Sequence, residues 1–349
     1  MRKHYIDNLR ILIIFLLFPV HTLMIWNDFG DKFYIWEAGS RLLSTLIVIV
    51  SPWFMPILFA FAGISAKHAL EKRTPGQFIG ERILKLLIPF IGGTVLLVPI
   101  QTLYARRFFD GYDGTFFDNL KYFFTHFTDM SGYDGAFTPG HLWFILFLFI
   151  ISLISVVMIR FINYEKVKNK ISKLSIWIII AMFIPVFIMY YAGNFGGFSL
   201  GRSLTFYLLG YYVLSNEDVV LTLDKNAKMI ISIWVISEII LIITYYRFAY
   251  YGDFLVNFAA WSGTLSLMIL GKKFLNINTS FTRYFTKASF PIYIFHQSIL
   301  VVLAYYALKH INGVFLEVIV IIPGSFFLTI LCYEIVKRIP YIRSVFGIK

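Results

Sequence analysis

Apolar runs of about 20 residues, each long enough to cross a hydrocarbon core of ~30 Å as a helix, recur along the whole chain. Backbone groups in hydrocarbon have only each other to bond to, so such runs fold as helices. Hydrophobic residues make up 59% of the 349 residues and charged residues only 14%, where soluble domains carry roughly 25% charged residues. So few charges cannot cover that much apolar surface in water. The expected fold is all-α: a polytopic integral membrane protein with one membrane-embedded domain over 1–349.

Ten spans are expected, at 8–27, 42–66, 82–101, 141–162, 174–192, 199–215, 228–248, 254–275, 289–309 and 314–337. With the amino terminus inside, the inner segments hold 23 of the 31 Lys and Arg residues and the outer segments 8. That bias follows the positive-inside rule and puts both termini in the cytoplasm. The leader Met1-Arg2-Lys3-His4 is basic, but the apolar stretch behind it is longer than a signal-peptide core and no A-x-A-like site follows, so it reads as a retained helix. The net charge of +12 is spent on loops that orient helices, which leaves no basic stripe for nucleic acid. Cys332 is the only cysteine, which excludes an internal disulfide or a multi-cysteine metal site. No metal site is expected.

Ionisable residues inside a span are costly and are candidates for function. On the first span, Asp7-Asn8-Leu9-Arg10 precedes His21. Eleven residues on, at roughly 100° each, His21 returns to the face of Arg10 about 16 Å deeper, near mid-membrane. Asp7 is placed to pair with Arg10. A histidine at that depth suits proton transfer, although polar residues there also serve as packing contacts. Arg82 and Lys85 stand three apart at a cytoplasmic entrance, where two cations can hold a phosphate or simply anchor a helix end. His141 and Trp143 open the fourth span near the outer face, and Tyr293 and His296 share a face of the ninth. Glu238, Glu317 and Glu334 lie in or near spans, with Glu238 the deepest. The outer segment 102–140 holds Asp110, Asp113, Asp118, Asp129 and Asp134 and is either a binding loop or an ordinary interfacial one. Phosphate-loop, nucleophile-elbow, zinc-helix and dinucleotide motifs are absent.

In order, Arg10 and His21 with ten residues between, Arg82-x-x-Lys85, His141-Leu142-Trp143-Phe144 and Ser289-Phe290-Pro291-Ile292-Tyr293-Ile294-Phe295-His296-Gln297 resemble the acyltransferase-3 family of bacterial integral-membrane acyltransferases. The texture is most similar to the branch with periplasmic glucan succinyltransferases. The resemblance runs from about residue 5 to 337 and rests on the ordered set, no single motif being specific. It implies transfer of an acetyl or succinyl-type group from cytoplasmic acyl-CoA, a donor substrate rather than a tightly bound cofactor, to a carbohydrate hydroxyl of the cell envelope, in a bacterial inner membrane. Arg10 and His21 match the family's Arg-x10-His motif, with His21 in the catalytic place. Arg82 matches the first cation of its Arg-x-x-Arg motif. Lys85 stands where the second arginine is usual, keeping the charge and losing the bidentate fork. The soluble hydrolase-like domain of some relatives is not expected here.

On this reading CoA phosphates dock near Arg82, Lys85 and Arg10, and His21 acts as general base or carries the acyl group. Tyr293, His296, His141 and Trp143 are candidates to steady an oxyanion or orient the acceptor, and Arg106, Arg107 and Arg202 to meet an acyl carboxylate outside. The competing class is a transporter or flippase for a polar or lipid-linked sugar, although no internal repeat of the usual kind is visible. A sensor or scaffold would leave His21 and His296 without a role. The acyl group, the acceptor and the oligomeric state are not written in the sequence.

Overall fold

Prolines and capping side chains set the breaks in a chain this uniformly apolar. A computed structural model describes residues 3–30, 32–249 and 252–348; Met1, Arg2 and Lys349, named in the leader or the loop charges, lie outside the described residues. Helices α1 (His4–Leu23) and α2 (Arg41–Leu70) contain Pro19 and the pair Pro52 and Pro56. Pro56 has no N–H to offer the carbonyl four residues back, and Arg202 Nη2 donates to that Pro52 carbonyl at 2.9 Å. A capping box opens α3 (Pro75–Arg82): Thr74 Oγ1 accepts from the Gln77 N–H, and Gln77 Oε1 from the Thr74 N–H. A π-helical turn, Ile83–Leu87, leads into α4 (Ile88–Leu96). The chain breaks at Leu97, just ahead of Pro99, before α5 (Val98–Phe109). A second capping box, Thr115 with Asp118, starts α6 (Phe116–Thr125), and bonds from the Thr115 hydroxyl and N–H hold the Asp118 carboxyl below its usual value.

A 3-10 turn, Gly140–Leu142, precedes α7 (Trp143–Phe161). Then come α8 (Tyr164–Ile171), α9 (Ile176–Ala181) and α10 (Phe183–Tyr190). Strands β1 (Asn194–Phe195) and β2 (Phe198–Ser199) form a hairpin whose turn, Gly196-Gly197, needs positive φ at both positions. The rest is α11 (Leu200–Leu209), a π-helical turn at Gly210–Leu214, α12 (Glu217–Lys225), α13 (Ala227–Phe248), α14 (Asp253–Phe274), α15 (Ser280–His310), α16 (Val314–Val336) and α17 (Pro340–Val345).

Among the described residues, eight stretches are long and apolar enough to cross a membrane: α1 with its 3-10 extension, α2, α3 through α5, the Gly140–Phe161 stretch, α13, α14, α15 and α16. The protein is an all-α polytopic membrane protein. The expected spans 174–192 and 199–215 come out shorter. Ile176–Tyr190 falls in the 10–17 residue class, at most about 26 Å at ~1.5 Å per residue, under the ~30 Å core. Pro185 cannot bond the Ala181 carbonyl and splits it at Met182. Ser199 caps the start of α11, which gives way to the π turn after Leu209. The two lie side by side in the chain, so eight crossings, like ten, return it to the side where it began.

The chain divides into two compact units, each of three separate segments. The first comprises Met1–Arg10, Val48–Ile83 and Phe147–Thr282. In it α13 packs on α14, and α10 on α11 and α14. The buried face of α14 is rich in small residues, Ala259, Ala260, Ser262, Gly263 and Thr264, which let membrane helices approach closely. Trp261 Nε1 donates to the Ile179 carbonyl at 2.8 Å. The second unit comprises Ile11–Ile47, Leu84–Leu146 and Arg283–Lys349. In it α4 packs on α5 and α17, and Ile25, Trp26, Phe33, Tyr34 and Ile35 are buried with Leu300, Val301 and Ala304 in one apolar core.

Candidate active site

Three histidines distant in sequence meet in the second unit. His21 lies in the last turn of α1. The apolar stretch that carries it runs from His4 to Trp26, so His21 stands five residues before its end. His141 sits on the 3-10 turn behind Pro139, and His296 faces inward from α15, fully buried. The His21 and His296 rings stack with centroids 5.3 Å apart, and the His141 ring stands edge-on to His296 at 5.0 Å. Phe33, from the segment after α1, lies parallel to the other face of His21 at 5.9 Å.

The hydrogen bonds assign a tautomer to each of two rings. His141 Nε2 lies 2.9 Å from the Ile294 carbonyl, which can only accept, so Nε2 carries the proton. Its Nδ1 then accepts from Gln101 Nε2 at 3.2 Å. His296 Nδ1 donates to the Tyr293 carbonyl at 2.6 Å, so its Nε2 is a lone-pair acceptor, and that atom is buried without a hydrogen-bond partner. The Nδ1 of His21 is likewise buried and unpartnered, while the residue as a whole keeps some accessible surface. Thr22 Oγ1 and Thr94 Oγ1 complete a set of four such atoms in this unit among the described residues.

Those bonds revise the expected oxyanion roles. The Tyr293 hydroxyl donates to the His141 main-chain carbonyl, and both nitrogens of His141 are engaged. Neither residue has a donor left for a ligand. His296 in its Nδ1–H tautomer presents an acceptor, suited to receiving a hydroxyl hydrogen rather than to steadying an anion. Trp143 is edge-on to Phe144, which is edge-on to Tyr293, and it is Tyr293 that lies against His141 and His296.

Arg10 is placed in the first unit and is clamped there. Its Nη2 donates to the Phe61 carbonyl at 2.8 Å and to Ser65 Oγ at 2.7 Å, and its Nη1 pairs with Asp7 at 3.3 Å. The expected Asp7 pairing is present, and two further bonds tie α1 to α2. Arg82 ends α3 with its guanidinium over the Phe78 ring at 4.4 Å and its Nε buried without a partner. Lys85 is exposed in the π turn that begins at Ile83. The wider i→i+5 turn breaks the α spacing on which a shared Arg82–Lys85 face rested.

The outer arginines are committed within the protein. Arg106 Nη1 donates to Asn119 Oδ1 at 3.2 Å and its guanidinium covers Tyr112 and Tyr122. Arg107 lies over Tyr104, and Arg202 bonds the Pro52 carbonyl. Much of the segment 102–140 is helical, in α5 and α6. In the first unit, Glu238 Oε1 accepts from Trp234 Nε1 at 2.8 Å, and Oε2 is buried without a partner. Glu334 accepts from the Tyr284 hydroxyl and pairs with Lys337.

Sequence reasoning did not single out Gln101, which joins the site from α5. Its signal was a lone amide in an apolar stretch, one residue past the Pro99-Ile100 step. Among the described residues no group of three or more His, Cys, Asp or Glu side chains is arranged to hold a metal ion. The model of one protein family, described as an acyltransferase domain, matches residues 3–334. No curated protein and no solved structure gives a significant match to the chain.

Proposed function

Since the chain belongs to the acyltransferase-3 family and is a multi-pass membrane acyltransferase, we propose that it moves a short acyl group, of acetyl or succinyl type, from cytoplasmic acyl-CoA to a hydroxyl of a cell-envelope or extracellular carbohydrate. The membrane is a bacterial inner membrane, and the branch is that of the periplasmic glucan succinyltransferases. The observation that carries the chemistry is the stacked His21–His296 pair, in which each ring has a buried nitrogen without a hydrogen-bond partner among the described residues.

In the reaction, the acceptor O–H gives its proton to His21 as the oxygen attacks the thioester carbonyl. The C–S bond then breaks, and the departing CoA sulfur takes that proton back. His296 Nε2 accepts a hydrogen bond from the acceptor and turns it toward His21. Donor phosphates are met by Arg82 and Lys85. Arg10 contributes by holding the start of α1 against α2.

The test is release of free CoA thiol from acetyl-CoA and from succinyl-CoA, with protein in lipid vesicles and mixed glycan acceptors. Wild-type protein releases thiol and His21→Ala does not, a loss of roughly 10²–10⁴-fold for a general base. Full transfer by folded His21→Ala overturns the mechanism. Vectorial sugar movement without CoA dependence replaces it with the transporter reading.

A further inference from the structure

The polar network behind the histidines has a fixed direction, set at both ends by main-chain carbonyls. At one end His141 Nε2 donates to the Ile294 carbonyl at 2.9 Å. At the other, Ser298 Oγ donates to the Leu97 carbonyl at 3.1 Å, where the break between α4 and α5 turns it toward α15. Both interior partners are therefore left as acceptors: His141 Nδ1 has no proton, and Ser298 Oγ has spent its own. Gln101 lies between them and supplies one N–H to each, at 3.2 Å and 2.7 Å. Its Oε1 accepts from Gln297 Nε2 at 3.0 Å, so a flipped amide would lose all three bonds. Gln101 is fully buried, and so are His141, Gln297 and Ser298.

We infer that Gln101 is a positioning residue that fills the acceptor Nδ1 of His141, whose tautomer the Ile294 carbonyl fixes, and so holds that ring and, through it, the placement of the His296 acceptor. His141 is the link because it touches α15 twice: its Nε2 donates to Ile294, and its main-chain carbonyl accepts from the Tyr293 hydroxyl. Tyr293 in turn supplies the carbonyl that holds His296 Nδ1. The chain of control runs from the Gln101 amide to the His141 ring, to the Tyr293–Ile294 step, to the free nitrogen of His296. No other amino acid of this length supplies both the two N–H donors and the acceptor. Glutamate offers acceptors to two acceptors, and methionine offers neither donor. The catalytic half of this inference rests on the acyl-transfer reading; the hydrogen-bonding half does not.

The experiment uses the full-length protein in lipid vesicles, with ¹⁵N-labelled histidine for solid-state NMR and thiol release for rate. His141 is assigned by its loss in His141→Asn. In wild type it shows one protonated and one hydrogen-bonded unprotonated nitrogen. Gln101→Met moves the unprotonated nitrogen to the position of one without a hydrogen bond. It lowers kcat by about 10²-fold, the scale set by an ångström of misplacement, while KM for the acyl-CoA stays within about twofold of wild type, as Gln101 does not touch the donor. Gln101→Glu protonates both His141 nitrogens and loses kcat as well, and it covers the case in which Gln101→Met does not fold.

An unchanged His141 spectrum in a folded variant overturns the inference, and so does a changed spectrum with unchanged kcat. If wild type shows the stated spectrum and the shift but releases no thiol, the acyl-transfer reading fails alone and Gln101 keeps its part as the donor that holds the His141 ring.

Discussion

Gly63→Ala tests a close helix seam in the first unit. A Cβ at Gly63 would overlap the Tyr207 carbonyl oxygen and stand 2.8 Å from Tyr211 N. A Cβ at Gly210 would stand 2.7 Å from the Ala60 carbonyl carbon. The obstruction is backbone on both sides, so no flexible side chain can move aside. Ordinary carbon contacts lie at ~3.5–4.0 Å, and the overlap with the Tyr207 oxygen is the largest, so α2 and α11 must part by more than about 1 Å, a gap that forfeits at least a quarter to a half of each dispersion contact across it. Overpacking of this kind costs about 1–3 kcal/mol, and the helix preference of Ala over Gly returns up to ~1 kcal/mol. The net expectation is a destabilisation of about 1–2 kcal/mol, or roughly 5- to 30-fold in the folded-to-unfolded ratio. The control is Gly76→Ala, where nothing stands within 4 Å of the new Cβ. Both variants are heated in detergent and the remaining monodisperse protein is followed by size-exclusion fluorescence. Gly63→Ala should lose several degrees in midpoint, with Gly76→Ala at or above wild type. Equal midpoints for the two would refute the close-approach argument.

Two further outcomes are expected. Arg10→Lys replaces a planar fork by a point charge and cannot keep the Phe61, Ser65 and Asp7 bonds together. With the side chain 30% exposed, the loss is taken at the low end for charged hydrogen bonds, about 1–2 kcal/mol, seen as a lowered unfolding midpoint; an unchanged midpoint would confine Arg10 to donor binding. The Asp118 carboxyl is depressed by its Thr115 bonds, so its stabilisation of α6 is complete above the ordinary carboxylate value of ~3.9 and disappears as pH falls below it. Hydrogen exchange at the start of α6, corrected for intrinsic rate, should stay protected down through that value in wild type. Protection lost at or above it would show that the capping box does not form.

What could be read from the sequence and what could not divide along a physical line. Span existence follows from local apolar length, so the helices around His21, His141 and His296 were all legible. The two shorter segments have local causes as well: Pro185 cannot bond the Ala181 carbonyl in the first, and the second passes into a π turn after Leu209. Helical spacing let Asp7 pair with Arg10, and the pair is present because α1 is helical through both. The same spacing failed for Arg82 and Lys85, since a π turn starts between them and no residue type marks it in advance.

The candidate site itself is a tertiary object. His21, His141 and His296 come from three elements, and their 5.0 Å and 5.3 Å ring separations follow from which helices pack, which periodicity within a helix does not contain. Residue chemistry alone left Tyr293, His141 and His296 as equal candidates to steady an oxyanion or orient the acceptor. They separate once their partners are known. Two main-chain carbonyls make His141 a donor at Nε2 and Ser298 a donor at Oγ; a third, on Tyr293, makes His296 an acceptor at Nε2. The Tyr293 hydroxyl is spent on His141. Of these three residues only His296 still offers an unpaired nitrogen beside His21. The bonding pattern thus turns a set of polar residues with open roles into one free acceptor and a brace that aims it.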